Sequence, residues 1–183
     1  MVLACVPSVV KKQKTCKLYK RMGKKGDTLM KKILVSECLY GGRIVRYDAG
    51  DVSEKHPIFL KWKEEGRLVP ICPEVFGGLP TPRPDSQRTG DKVIACTGPD
   101  VTAEYTAGAE EALRLAKEND VVFCLMKQDS PSCGSKFIYD GTFTDTKIPG
   151  QGLAVEYLRN AGFKIFAEED IEEAAKYLEE IEA

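Results

Sequence analysis

Histidine and tryptophan are nearly absent from this sequence, since each occurs once among 183 residues. The single histidine, His56, leaves no second imidazole for a zinc site built on histidines. A serine hydrolase is not favoured either, because the sequence contains no G-x-S-x-G motif. We expect His56 to be a surface residue near the start of a helix.

Long apolar runs and closely paired cysteines are missing as well. No run approaches the roughly 18 apolar residues of a membrane-spanning helix. Seven cysteines are present, but none form the C-x2-C pair that is typical of structural zinc sites. Their odd number and the lack of a convincing secretory leader argue against a disulfide-stabilised secreted domain. We therefore expect a soluble cytoplasmic protein without membrane partners, whose cysteines bind metal or take part in catalysis.

Charge is unevenly distributed, although the net charge is only -1. Residues 1–29 carry eight Lys or Arg and one Asp, which leaves 19 basic and 27 acidic residues in the remainder. This acidic balance is unlike the basic face of a nucleic-acid-binding protein. We predict that residues 1–29 are a disordered extension or precede the true start at Met30, and that residues 30–183 form one domain. A basic arm that contacts RNA is the alternative.

Apolar runs alternating with helical patterns define the predicted fold. Strands are predicted at Lys32–Ser36, Leu68–Ile71, Val121–Met126 and Phe163–Phe166. Helices are predicted from Ser53 to about Gly66, from Thr102 to Glu118, over Leu153–Asn160 and over Glu168–Ile181. This alternation indicates a single-domain α/β fold of the Rossmann or flavodoxin type, with a mainly parallel sheet and flanking helices. Lys92–Cys96 and Asp100–Thr102 are predicted to form a short antiparallel pair.

Three cysteines, Cys38, Cys72 and Cys133, come after predicted strands. Parallel strands end at the same edge of a sheet, where open α/β folds bind ligands. Three thiolates leave one position open on zinc or on an iron–sulfur cluster, and an open position can bind a substrate atom. The spacing favours such a metal site over three unrelated buried cysteines. Cys96 and Cys124 are predicted to be small core residues.

Polar residues in the same loops are candidates for catalysis. Glu74 and Asp48 are candidate general bases, although pairing with arginine is the alternative for both. Ser130 and Ser132 lie beside Cys133 and could orient a substrate, with turn capping as the alternative.

Five motifs in order resemble the thiouracil desulfidase family. They are SECLYG at 36–41, RYD at 46–48, CPEVFGGLPTPR at 72–83, SPSCG at 130–134 and IYDGTF at 138–143. The resemblance extends from Lys31 to about Glu168. Glu37, Tyr40 and Ala49 depart from the family's usual residues, and none of them is a predicted ligand.

The resemblance implies a [4Fe-4S] cluster that is held by Cys38, Cys72 and Cys133 and has a fourth iron free of protein ligands. It implies that the sulfur of a thiolated uracil binds this iron, water replaces the sulfur at the ring carbon, and sulfide leaves without net redox change. The implied substrates are small molecules, namely a thiouracil or 4-thiouridine monophosphate.

Roles for single residues follow from this resemblance as expectations. Glu74 is the expected water-activating base, and Ser130 or Ser132 is expected to place the pyrimidine. Arg83, Arg88 and the backbone N–H groups near Gly150 are candidates for binding a nucleotide phosphate.

Two other functions and the oligomeric state stay open. The first alternative is a non-catalytic iron–sulfur or zinc module, and the second is a desulfidase that acts on 4-thiouridine within tRNA. The protein is compatible with either a monomer or a homodimer.

Overall fold

A computed structural model describes residues 30–183, so the predictions for residues 1–29 lie outside the described residues. The strands are β1 (Lys32–Ser36), β2 (Leu68–Ile71), β3 (Ser86–Thr89), β4 (Lys92–Ala95), β5 (Val121–Met126), β6 (Phe137–Tyr139), β7 (Lys147–Pro149) and β8 (Lys164–Ala167). The helices are α1 (Glu37–Tyr40), α2 (Pro57–Glu64), α3 (Pro73–Phe76), α4 (Thr102–Glu118), α5 (Leu153–Asn160) and α6 (Ile171–Glu182), and a 3-10 turn at Glu168–Asp170 precedes α6.

The main sheet contains four parallel strands in the order β2-β1-β5-β8. This arrangement confirms the predicted α/β class, and the last strand begins one residue later than predicted. From β1 the chain passes to β2 on one side, whereas β5 and β8 lie on the other side. The strand order therefore reverses between β1 and β5, which is where α/β folds of this kind bind their ligands.

Apolar side chains fill both faces of this sheet. Along β1, Leu34 belongs to one apolar cluster and Ile33 and Val35 belong to the other, because successive side chains of a strand point to opposite faces. Helices α4 and α5 contribute to the first cluster, and α2 and α6 to the second. The continuous apolar runs of the strands follow from this two-sided burial.

The structure corrects three expectations outside the main sheet. β4 pairs with β3, whereas Asp100 makes only an isolated bridge to Ile94. Cys96 is exposed because it lies just beyond β4, so the prediction of a core position was wrong, while Cys124 is fully buried as expected. Helix α2 spans Pro57–Glu64 and is therefore shorter than the predicted helix from Ser53 to about Gly66. Its N-cap residue is His56, whose Nδ1 accepts a hydrogen bond from the Ile58 N–H at 3.3 Å. No helix within residues 30–183 is long and apolar enough to cross a membrane.

Candidate functional site

Three neighbouring strands each lead to a cysteine in the wall of one cavity of about 230 Å³. Cys38 lies in α1, directly after β1, and Cys72 is the N-cap residue of α3, directly after β2. Cys133 lies in the turn that follows β5. The sheet order β2-β1-β5 therefore brings together three cysteines that are far apart in sequence.

The three thiols interact with one another in a desolvated environment. Burial raises the pKa of Cys38 to about 12, and the proximity of Cys72 adds to this shift. Burial likewise raises the pKa of Cys72, to about 11, with Glu74 as the next cause. The pKa of the Cys133 thiol is raised well above its usual value by burial, and the proximity of Cys38 and Cys72 adds to this shift. Holding three thiolates here requires a positive partner, which a bound metal group supplies.

Three thiols make up the candidate donor set of the cavity. Across residues 30–183, no group of three or more His, Cys, Asp or Glu side chains is arranged to hold a metal ion. The three thiols nevertheless share one cavity, and an all-sulfur set suits zinc or iron–sulfur clusters.

A buried ion pair accompanies the cysteines. Glu74 lies in the first turn of α3, and its Oε2 is 2.7 Å from Nη2 and 2.8 Å from Nε of Arg83. The side chain of Arg83 is only 4% exposed, and Nη1 donates to the carbonyl oxygens of Val45 and Pro80 at 2.9 and 3.1 Å. Arg83 thus links the Glu74 carboxylate to the backbone of Val45 and Pro80, and all three nitrogen atoms of its guanidinium group donate within the protein.

Helix α3, which carries Glu74, packs directly on the backbone of α4. A Cβ atom added to Gly108 of α4 would lie 2.0 Å from the carbonyl oxygen of Pro73. A Cβ atom added to Gly77 would lie 1.9 Å from the carbonyl oxygen of Glu104. Only glycine permits this approach at either position, so the two glycines fix the placement of α3.

Side chains of the loop after β5 hold the backbone around Cys133. The Oγ of Ser130 accepts hydrogen bonds from the N–H groups of Ser132 and Cys133 at 3.2 and 3.0 Å. Gln128 is buried, donates to the Ser135 Oγ at 2.7 Å and accepts from the Lys136 N–H at 3.0 Å. The turn that presents Cys133 is therefore fixed at both ends.

The two candidate serines occupy different positions in this loop. Ser130 lines the cavity and also caps the turn. Ser132 is fully buried, and its carbonyl oxygen accepts a hydrogen bond from the Ala154 N–H at 3.0 Å. Among the described residues, no hydrogen-bond partner reaches the Ser132 Oγ. Ser132 thus packs against the start of α5 instead of the cavity.

Asp48, Arg88 and Gly150 lie outside the wall of the cysteine cavity. Asp48 pairs with Arg46 and accepts a hydrogen bond from the Gly50 N–H at 2.9 Å. Arg88 donates to the Gln151 carbonyl oxygen at 2.9 Å and pairs with Glu156 at 2.5 Å, beside a second cavity of about 290 Å³. The Gly150 N–H donates to the Lys136 carbonyl oxygen at 3.1 Å. The structure brings none of these three predicted residues to the cysteines.

Several residues of the cavity wall were missed in the sequence, notably Tyr105 and Asp85. Tyr105 is 1% exposed and lies against Glu74, and burial raises the pKa of its phenol well above the usual range. Tyr105 was hidden within the helical pattern of α4. Asp85 directly follows a loop with prolines at positions 80, 82 and 84, and this position was its only signal in the sequence.

A family model, a curated protein and a solved structure each match this chain. The family model for 2-thiouracil desulfurase matches residues 33–170. An uncharacterized protein of Bacillus subtilis (strain 168), YbbK, is 37% identical over 149 residues, which cover 76% of this chain and 97% of YbbK. The solved structure of the [4Fe-4S]-dependent thiouracil desulfidase TudS superposes with a TM-score of 0.79 at 43% identity, covering 81% of this chain and 98% of TudS.

Proposed function

Because this chain belongs to the 2-thiouracil desulfurase family, we propose that it removes sulfur from a thiolated uracil, either a thiouracil or 4-thiouridine monophosphate. The products are the oxo base and sulfide. The net reaction consumes one water for each C=S bond that becomes C=O, so no oxidant or reductant is required. One observation carries the proposal: three cysteines and a glutamate paired with a buried arginine line the same cavity.

Cys38, Cys72 and Cys133 are the residues that would hold a [4Fe-4S] cluster. When bound, the cluster would supply an iron that acts as a Lewis acid toward the thiocarbonyl sulfur. The cysteine side chains reach the cavity from three strands, so binding would depend on the sheet itself. TudS, which shares the fold, is described as [4Fe-4S]-dependent.

Glu74 is the proposed base that takes a proton from the attacking water. Arg83 contacts Oε2 of Glu74 with two donors, which holds this carboxylate oxygen in place. Ser130 lines the cavity and is proposed to face the pyrimidine while its Oγ caps the turn. Arg83, whose donors are engaged, is assigned to positioning Glu74 and not to a substrate phosphate.

Sulfide release from defined substrates tests this function. The full chain is reconstituted with iron and sulfide without oxygen and is given 2-thiouracil, 4-thiouracil, 4-thiouridine monophosphate or tRNA that contains 4-thiouridine. We expect sulfide and the oxo base in equal amounts from at least one of the three small molecules. Release from none of the substrates would indicate a binding module, and release from tRNA alone would indicate an RNA enzyme; either result would contradict the proposal.

A further inference from the structure

Asp85 is a carboxylate in the cavity wall that the proposed chemistry does not use. Asp85 directly precedes β3, whereas Cys38, Cys72 and Cys133 follow β1, β2 and β5. Asp85 therefore enters the cavity wall from a segment that carries none of these three cysteines.

Backbone hydrogen bonds fix Asp85 on both sides. The Arg83 N–H donates to the Tyr47 carbonyl oxygen at 2.8 Å, and the Cys96 N–H donates to the carbonyl oxygen of Asp85 at 2.7 Å. Burial raises the pKa of the Asp85 carboxyl, while the Ser86 N–H and the Gln87 amide favour its charged form. Gln87 is itself fixed, because its Oε1 accepts from the N–H groups of Gly141 and Phe143. The carboxylate is thus a preorganised, partly desolvated hydrogen-bond acceptor.

Two aromatic rings lie beside this acceptor. Tyr47 and Tyr139 are half-buried and line the cavity, and both Asp85 and Tyr139 are close enough to Tyr47 to raise the pKa of its phenol, after burial as the main cause. Flat ring surfaces beside a fixed acceptor suit a planar ring that carries an N–H donor. A carboxylate can only accept hydrogen bonds, so it rejects a ring that presents a lone pair at the same position.

Uracil carries such a donor at N3, and N3 lies between C2 and C4, the two ring positions that can bear sulfur. We propose that Asp85 accepts a hydrogen bond from the pyrimidine N3–H and thereby selects uracil-type rings and orients the thiolated carbon. This inference rests on the proposed function, because it names the recognition contact for that substrate.

Two methylated analogues separate recognition of N3–H from the size of the ring. 3-Methyl-4-thiouracil lacks the N3–H donor, whereas 5-methyl-4-thiouracil keeps the donor and adds the same volume on the other side of C4. The reconstituted wild-type protein should turn over the 3-methyl compound with a kcat/KM about tenfold to a hundredfold lower than 4-thiouracil. The kcat/KM for the 5-methyl compound should fall much less.

Asp85→Asn supplies the second comparison, with Asp91→Asn at the exposed tip of the same hairpin as its control. Asp85→Asn should lower kcat/KM for 4-thiouracil by about tenfold or more through a higher KM, and it should leave the 3-methyl compound nearly unaffected. Uracil binding by calorimetry should weaken in parallel, with unchanged iron content. Asp91→Asn should match the wild type.

Failure of this inference differs from failure of the proposed function. If the wild type releases sulfide but treats the 3-methyl and 5-methyl compounds alike, Asp85 does not read N3–H. If Asp85→Asn lowers turnover of both 4-thiouracil and the 3-methyl compound by the same factor, its role is structural and the inference is overturned. If the wild type releases no sulfide from any thiouracil, the proposed function itself is wrong, and the inference is overturned with it.

Discussion

Arg83 and Glu74 are joined by two contacts to one carboxylate oxygen, since Nη2 and Nε of Arg83 lie 2.7 and 2.8 Å from Oε2 of Glu74. Arg83 therefore leaves the second oxygen, Oε1, unengaged. The pair is almost completely shielded from water, with side-chain exposures of 4% and 13%. Such a pair fixes the position of Oε2 more strictly than a surface ion pair does, because two charged donors contact this one oxygen and both side chains are buried.

Replacement of Arg83 by lysine should impair catalysis even though the substitution retains the positive charge. A single ammonium cannot contact Glu74 and the Val45 carbonyl oxygen with the same geometry, so one acceptor loses its partner. We expect kcat to fall about tenfold and the free energy of unfolding to fall by about 1–3 kcal/mol. Chemical denaturation and steady-state sulfide release measure both. Arg114→Lys, in an exposed pair with Glu111, should change stability by less than about 0.5 kcal/mol, and equal effects of the two substitutions would contradict the positioning role.

Glu74→Gln tests the proposed base with little change in shape. Glutamine still accepts a hydrogen bond from Arg83 but cannot take a proton from water at neutral pH. We expect kcat to fall about 10²-fold or more while iron content stays at the wild-type level. Glu64→Gln, on the exposed side of α2, is the matched control and should retain full activity. A Glu74→Gln protein with wild-type kcat would remove Glu74 from the mechanism.

Gly108→Ala should destabilise the protein, although the same change in an ordinary helix interior stabilises by roughly 1 kcal/mol. The new methyl group would meet the Pro73 carbonyl oxygen, and α3 would have to move with Cys72 and Glu74. We expect a loss of about 1–3 kcal/mol in the free energy of unfolding and reduced iron retention. Ala107→Ser, at the exposed neighbouring position, should change stability by less than about 0.5 kcal/mol. A stabilised Gly108→Ala protein would show that the contact between α3 and α4 is not restrictive.

Gln128→Ala should loosen the turn that presents Cys133. The substitution removes a donor to Ser135 and an acceptor for the N–H groups of Ser135 and Lys136, all within one loop. Because the Ser135 side chain is buried, its groups would lose partners at a cost of about 1–3 kcal/mol. Thermal unfolding checks this loss. Lys136→Ala, which removes an exposed pair with Asp170, should shift the midpoint much less, and similar shifts in the two variants would argue against the role of Gln128.

The strands of the main sheet could be predicted from sequence because each is a short apolar run buried on both faces. Val121–Met126 and Leu68–Ile71 have the predicted bounds. The placement of the three cysteines at one edge of the sheet could be predicted as well, because each cysteine comes after the end of such a strand. β3 was missed, because Ser86, Gln87 and Arg88 are polar residues that the fold buries, which gives no apolar signal.

The cavity wall was less predictable than the sheet. Tyr105 resembles any buried residue of an amphipathic helix, and Arg83 resembles any loop arginine until its partners are known. Ser130 and Ser132 are two residues apart, yet only the structure separates the one that lines the cavity from the one that packs against α5. Motif spacing thus locates the loops, whereas the direction of each side chain depends on contacts between distant segments.

Iron and acid-labile sulfide, quantified per chain after reconstitution without oxygen, test most directly the claim that three cysteines hold the cofactor. The wild type and Cys96→Ala, whose cysteine is exposed and outside the cavity, should each contain roughly four irons and four sulfides per chain. Cys38→Ala, Cys72→Ala and Cys133→Ala should each lose most of both. Full cluster content in any one of these three variants, or an equal loss in Cys96→Ala, would contradict the account.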